Sequence, residues 1–302
     1  MEKIVVIGSS GFVGTHVTEY LSKNSQYDTK LGFFKNKPKE AANSVYIDIT
    51  DREKTEDTIL KLNPDIILHL AAEANVDKSE IHQHNTYLVN TKGTKNIVDS
   101  AKKINAKVIM TSTDYVFEGK KEIIYKESSK KHPVNIEGDS KARAEEVLIS
   151  SRLESWAICR ISVPYGWRKF EYQKSFLDWV VTSCSKGEEI SLVSDQYNCP
   201  TSLNELSLYI YEIIRQDGHG TYHTVGPEYL SRYEFGLIIA DVFDLEKKLI
   251  APITTEELIK RIPSYKAPRP FYCNLEDTRL EKELSVNKKS IKENLEILKN
   301  QK

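Results

Sequence analysis

This 302-residue chain is poor in several features that would settle its class at once. No apolar run approaches the roughly 18 residues a membrane span needs, so no membrane partner is expected. Met1-Glu2-Lys3 leads straight into a short strand-like run, without the pattern of a secretory leader. Cysteine is scarce: Cys159, Cys184, Cys199 and Cys273 are scattered and form no CxxC pair. A disulfide framework is therefore not expected, and reduced thiols in a cytoplasmic protein are. Neither charge sign dominates, with Lys+Arg 43 against Asp+Glu 44, which removes any global reason to expect a nucleic acid polymer. His82 and His84, two apart on a helix, point to different faces, so no metal site is expected there. Internal repeats and low-complexity linkers are absent too.

What the chain does have is alternation. Strand-like runs fall at 3–7, 29–34, 44–47, 66–70, 107–111 and 156–161, and helical patterns at 13–21, 52–62, 84–103 and 139–149. The second helix reads as opening on a capping box, Thr50 to Glu53. Continuous apolar strands alternating with helices predict an α/β fold: a doubly wound, Rossmann-type parallel sheet covered on both faces. After Gly166 the rhythm changes, with helices expected over 175–185 and 203–215 and strands at 190–193 and in "GTYHTV". A last amphipathic helix should align Ile291, Leu295 and Leu298. The expected division is a dinucleotide-binding domain over 1–166, with 200–226 contributing, and a smaller α/β substrate domain over 167–199 and 227–302.

"IVVIGSSGFVG" is the most specific local signal, a strand running into Gly8, Gly11 and Gly14 and then a helix. Gly8 permits a tight turn, Gly11 lets backbone approach a pyrophosphate, and Gly14 allows close helix–strand packing. Ser10, Phe12 and Val13 complete this turn, whose helix N-terminus offers unpaired N–H groups to phosphates. An acid at the end of the second strand would bind the ribose of NAD; "GFFKNK" has none there. Lys35, with Lys37, could neutralise a 2′-phosphate, which favours NADP, with NAD as the alternative. Asp48 and Ile49 offer an edge for the adenine.

"TSTDYVFEG" (111–119) ends a strand at the edge of the sheet where ligands bind in this architecture. Together with Lys141, the glycine turn, "NVDKSE", "VNTKGT", "RISVPYG", "DQYNCPT", "GTYHTVG" and "APRP", it resembles the extended short-chain dehydrogenase/reductases, in particular the dTDP-4-dehydrorhamnose reductase branch. The resemblance spans nearly the whole chain. It implies reduction of a nucleotide-linked 4-keto sugar, with a homodimer common among such folds. It further implies that Thr113 is the catalytic hydroxyl and that Lys141 binds the nicotinamide ribose. Ala71, Ala72 and Arg160 would lie along the cofactor, and Tyr115, Gln196 and Arg269 by the substrate.

One position departs from the family pattern. Where the resemblance places a tyrosine, four residues before Lys141, this chain has Glu137. A phenol beside an ammonium can supply the proton that a nascent alkoxide needs. A carboxyl group starts near ~4.3, and Lys141 is expected to pull it lower and to pair with it at i, i+4. Three routes stay open. Burial could raise Glu137 enough to make it an acid; Tyr115, Tyr125, Tyr165 or a water could donate instead; or Glu137 could act as a base in other sugar chemistry. The alternative is a catalytically impaired module that binds coenzyme or nucleotide sugar and regulates a partner.

Overall fold

The computed structural model describes residues 1–24, 26–38 and 41–301. Its strands are β1 (Glu2–Ile7), β2 (Tyr27–Phe33), β3 (Ser44–Tyr46), β4 (Ile66–His69), β5 (Lys107–Thr113), β6 (Trp156–Ile161), β7 (Ile190–Val193), β8 (Gly220–His223) and β9 (Ile250–Ile253), besides two-residue pairings. Seven form one sheet in the order β8-β6-β5-β4-β1-β2-β3. Every neighbour pair in it is parallel. Chain order reverses between β1 and β4, which opens a crevice beyond their carboxyl ends.

Helices α1 (Phe12–Lys23), α2 (Arg52–Leu62), α3 (Val76–Ile81), α4 (Thr94–Ile104), α5 (Ile136–Ile149), α6 (Phe176–Ser185), α7 (Leu203–Arg215), α8 (Arg232–Val242) and α9 (Ile291–Lys299) complete the frame. Side chains alternate along the strands, so one face buries Ile4, Val6 and Leu68 under α1 and α7. The other buries Val5, Ile7 and Ile67 with Ile59, Ile97 and Leu148 from α2, α4 and α5. A third core gathers Leu177 and Val180 of α6, Leu192 of β7, Phe235 and Ile239 of α8, and Ile291, Leu295 and Leu298 of α9. Strands β7 and β9 pair in parallel beside it. Leu280, Leu284 and Val286 return to the first core, between stretches that belong to the third.

Two local expectations are corrected. Asp51 caps α2, accepting from the Lys54 amide at 3.1 Å. Thr50 cannot form the expected box because its hydroxyl donates to Asp48 at 2.7 Å, closing a turn one residue upstream. The long helix expected over 84–103 is interrupted by a π turn, Leu88–Gly93. Gly93 lies flat on Ile49 there, where a Cβ would stand 2.7 Å from the Ile49 Cδ1. Among the described residues no helix is long and apolar enough to cross a membrane.

Candidate active site

The glycine turn sits at the reversal of strand order. Gly8 has φ of 90°, and a Cβ on it would meet the Ala71 nitrogen at 2.6 Å, so the carboxyl ends of β1 and β4 touch only because this residue has no side chain. A Cβ on Gly14 would meet the Gly8 carbonyl at 2.1 Å, which seats α1 directly on the turn. No side chain caps α1 and no acid lies in its first turn, so its leading N–H groups stay open to an anion. Phe12 and Val13 pack against the first core. Lys35 and Lys37 are exposed, the former over the Phe34 ring at 5.7 Å. Asp48 bonds Thr50, and Ile49 is buried in the core. Ala71 is half-buried and Ala72 exposed at the head of the crevice.

Across the crevice, α5 starts at Asn135, whose side chain accepts from the Gly138 amide at 2.8 Å and donates to the Pro268 carbonyl at 2.9 Å. Gly138 lies so close to the hydroxyl loop that a Cβ would fall 2.1 Å from the Tyr115 carbonyl. These contacts fix the helix end that carries Glu137 and Lys141. Lys141 donates to the Thr111 carbonyl at 2.5 Å. Glu137 is buried, and its Oε2 has no hydrogen-bond partner. The expected ion pair does not form between them.

The electrostatic expectation is reversed accordingly. Burial pushes the Glu137 carboxyl up to about 8; the Lys141 charge opposes this and Asp114 adds to it. Burial also holds Lys141 below the ordinary lysine value, against the pull of Glu137 and Glu145. Desolvation wins because each group has left water without a directly paired opposite charge. Asp114 is raised as well, by burial, although Ser162 and Asn198 donate to it at 2.7 and 2.8 Å.

Thr113 ends β5 and accepts from the Tyr115 amide at 3.2 Å. Of the phenols considered as substitutes, Tyr165 is buried against Phe235 and Tyr125 stacks on Phe117 at 4.4 Å. Tyr125 is thus a core residue. Tyr115 lines a cavity of about 700 Å³ between α6, β7 and the loop before Pro270, with Trp179, Gln196, Arg232, Tyr265 and Arg269 among the wall residues. Gln196 is held by Thr255 and Tyr265. Arg269 forks onto Asp77 of α3 at 2.6 and 2.8 Å and stacks over Tyr265 at 3.7 Å.

Arg160, expected along the cofactor, is engaged by protein groups. Its guanidinium is buried in a two-point pair with Glu145, at 2.8 and 3.0 Å, and also bonds the Glu127 carbonyl. It braces β6 against α5. Sequence reasoning also gave no role to Asn90, inside the "VNTKGT" motif. From the π turn Asn90 joins the Glu73 backbone to the Ser140 hydroxyl of α5, tying the β4 crevice to the helix of Glu137.

The chain matches the family model described as the RmlD substrate binding domain over residues 1–301. It is 26% identical over 297 residues to a dTDP-4-dehydrorhamnose reductase of Aggregatibacter actinomycetemcomitans, covering 95% of this chain and 94% of that one. It is 27% identical over 289 residues to methionine adenosyltransferase 2 subunit beta of Xenopus laevis, covering 93% and 82%. The crystal structure of dTDP-4-dehydrorhamnose reductase from Bacillus anthracis in complex with NADP superposes with a TM-score of 0.87 at 28% identity, covering 100% and 99%. With the reversed sheet and the glycine turn in place, the chain belongs to the RmlD substrate binding domain family, within the extended short-chain dehydrogenase/reductases.

Proposed function

We propose that this protein reduces the keto group of a nucleotide-linked deoxy sugar with NADPH, NADH being the alternative, and that neutral Glu137 donates the proton. The observation that carries this reading is the Glu137 carboxyl: buried, one oxygen unpartnered, and free of the lysine one turn away. A carboxylic acid kept neutral in this way can do what a phenol does elsewhere in the family.

The cradle fits a dinucleotide, since side chains at Gly8 and Gly14 would fill the space through which the turn closes. Gly8, Gly11, Gly14 and the open start of α1 would hold its phosphates, with Ser10, Phe12 and Val13 beside them. Lys35 would face a 2′-phosphate, the Asp48-Ile49 backbone the adenine, and Ala71 and Ala72 the crevice floor. When bound, the coenzyme supplies the hydride that the carbonyl carbon accepts.

The protein's own groups do the rest. Thr113 donates to the carbonyl oxygen and orients it. Glu137 gives that oxygen its proton, remains as the carboxylate, and is reprotonated from solvent. Lys141, anchored on Thr111, supplies a positive field that steadies the charge developing on the oxygen. The cavity beside Tyr115 would hold the nucleotide sugar, with Gln196 and Arg269 shaping its wall. The smaller lobe around the third core supplies most of that wall, and two such chains would form the homodimer.

Oxidation of NADPH, followed optically with a dTDP-4-keto-6-deoxy sugar, tests the reading. Turnover lost in Glu137→Gln supports it. Absence of turnover in the wild type, with coenzyme bound and enzyme in large excess, overturns it and leaves a binding module.

A further inference from the structure

The segment 167–173, "WRKFEYQ", leaves the β6 end of the sheet and crosses behind the glycine turn before α6 begins. Its contacts converge on that turn. The buried Gln173 amide donates to the carbonyls of Ser10 and Gly11 and to the Thr15 hydroxyl, each at 3.2 Å. The Gln173 carbonyl oxygen in turn accepts from the Lys169 and Phe170 amides, at 2.8 and 3.3 Å, so the side chain is held at both ends. Tyr172, stacked on Phe170 at 5.3 Å, donates to the Ser10 carbonyl at 3.0 Å. Lys169 pairs with Glu19 and the Trp167 carbonyl bonds His16, which fastens the segment along α1.

A peptide group carries its carbonyl and N–H on opposite sides of one plane, so pinning the carbonyl sets where the N–H points. The Gly11 carbonyl belongs to the peptide whose N–H is that of Phe12, the first residue of α1. Next to a glycine such a plane turns over with little steric resistance. The Thr15 amide holds the same carbonyl at 2.9 Å, and the N–H of the neighbouring Ser10–Gly11 peptide is bonded to the Gly8 carbonyl at 3.0 Å, so the donors from 172–173 reinforce a turn whose open N–H is that of Phe12.

We propose that Gln173 is a positioning residue for the coenzyme: acting from behind the turn, it reinforces the Gly11–Phe12 peptide plane whose N–H receives a phosphate, while Tyr172 steadies the preceding Ser10–Gly11 plane. The inference rests on the coenzyme reading above. It places a determinant of coenzyme affinity outside the glycine motif, on a segment that continues into the wall of the substrate cavity.

The test titrates NADPH into the full-length wild type, Gln173→Ala and Tyr172→Phe by coenzyme fluorescence, and measures kcat at saturating NADPH. Loss of a donor shared by three acceptors of the turn should weaken NADPH roughly tenfold in Gln173→Ala, and less in Tyr172→Phe, while kcat stays within about twofold. A merely structural role would lower the melting temperature of the free protein and leave the NADPH dissociation constant in place. Unchanged affinity in both variants overturns the proposal, as does a fall in kcat alone. Should Gln173→Ala fail to fold, Tyr172→Phe decides: a weaker NADPH constant supports the brace, and an unchanged one overturns it. A wild type that takes up neither NADPH nor NADH defeats the coenzyme reading itself, and the brace with it.

Discussion

Glu137 and Lys141 lie one turn apart on α5 and do not pair. The ammonium bonds the Thr111 carbonyl across the helix–sheet interface, and one carboxyl oxygen is buried without a partner. The Glu137 carboxyl is therefore governed by burial rather than by its neighbour's charge.

The pH dependence follows. The Glu137 carboxyl is raised from 4.5 to about 8, so the folded protein favours its neutral form. The stability linked to this group is complete below its unfolded value and is lost as pH rises through the folded one. Reductase activity should fall on the alkaline side of about pH 8 in a kcat profile, because the donor is then a carboxylate. Glu137→Gln should lose about 10²–10⁴-fold in kcat together with that alkaline limb. A limb that persists in Glu137→Gln assigns the ionisation to another group.

Gly8→Ala tests the cradle. The added methyl would overlap the Ala71 nitrogen in a backbone conformation that L-residues rarely adopt, so β1 and β4 must part at their carboxyl ends. Calorimetry should show coenzyme binding reduced by at least about tenfold, with far-UV circular dichroism of the native type.

Coenzyme preference can be tested at Lys35 and Lys37, both exposed and neither in an ion pair among the described residues. The double alanine variant should weaken NADPH by roughly tenfold and leave NADH nearly unchanged, as expected for loss of charge facing one phosphate. Equal losses for both coenzymes would remove the lysines from recognition.

Glu145 and Arg160 form a pair sealed from solvent, with the carboxylate held below its ordinary value: burial opposes this, and the Arg160 hydrogen bonds and charge outweigh it. Removing one partner strands the other, so Glu145→Gln should cost about 3–5 kcal/mol in denaturant unfolding. A loss under about 1 kcal/mol would show that water reaches the site.

The fold was legible where the sequence constrains backbone locally. Gly8 and Gly14 announce their contacts because only a residue without Cβ fits them, and continuous apolar strands announce a sheet buried on both faces. The placement of Glu137 followed from spacing, since helix periodicity carries it to the side of Lys141. Its protonation did not follow, because charge separation is visible in a sequence and desolvation is not. The pairing of Arg160 was not legible for a related reason: its partner Glu145 lies on another element, and only packing brings them together. Gln173 left no trace, its acceptors lying about 160 positions away and all but one of them being backbone carbonyls that any residue supplies.

The fork between Asp77 and Arg269 carries a mechanical consequence. Asp77 also accepts from the Lys266 and Ala267 amides, so one carboxylate clasps a whole bend of the C-terminal segment to the helix beside the crevice. Since Asn135 grips the same bend from the other side, the cleft's opposing walls are stitched into one cooperative unit that should melt as a single body.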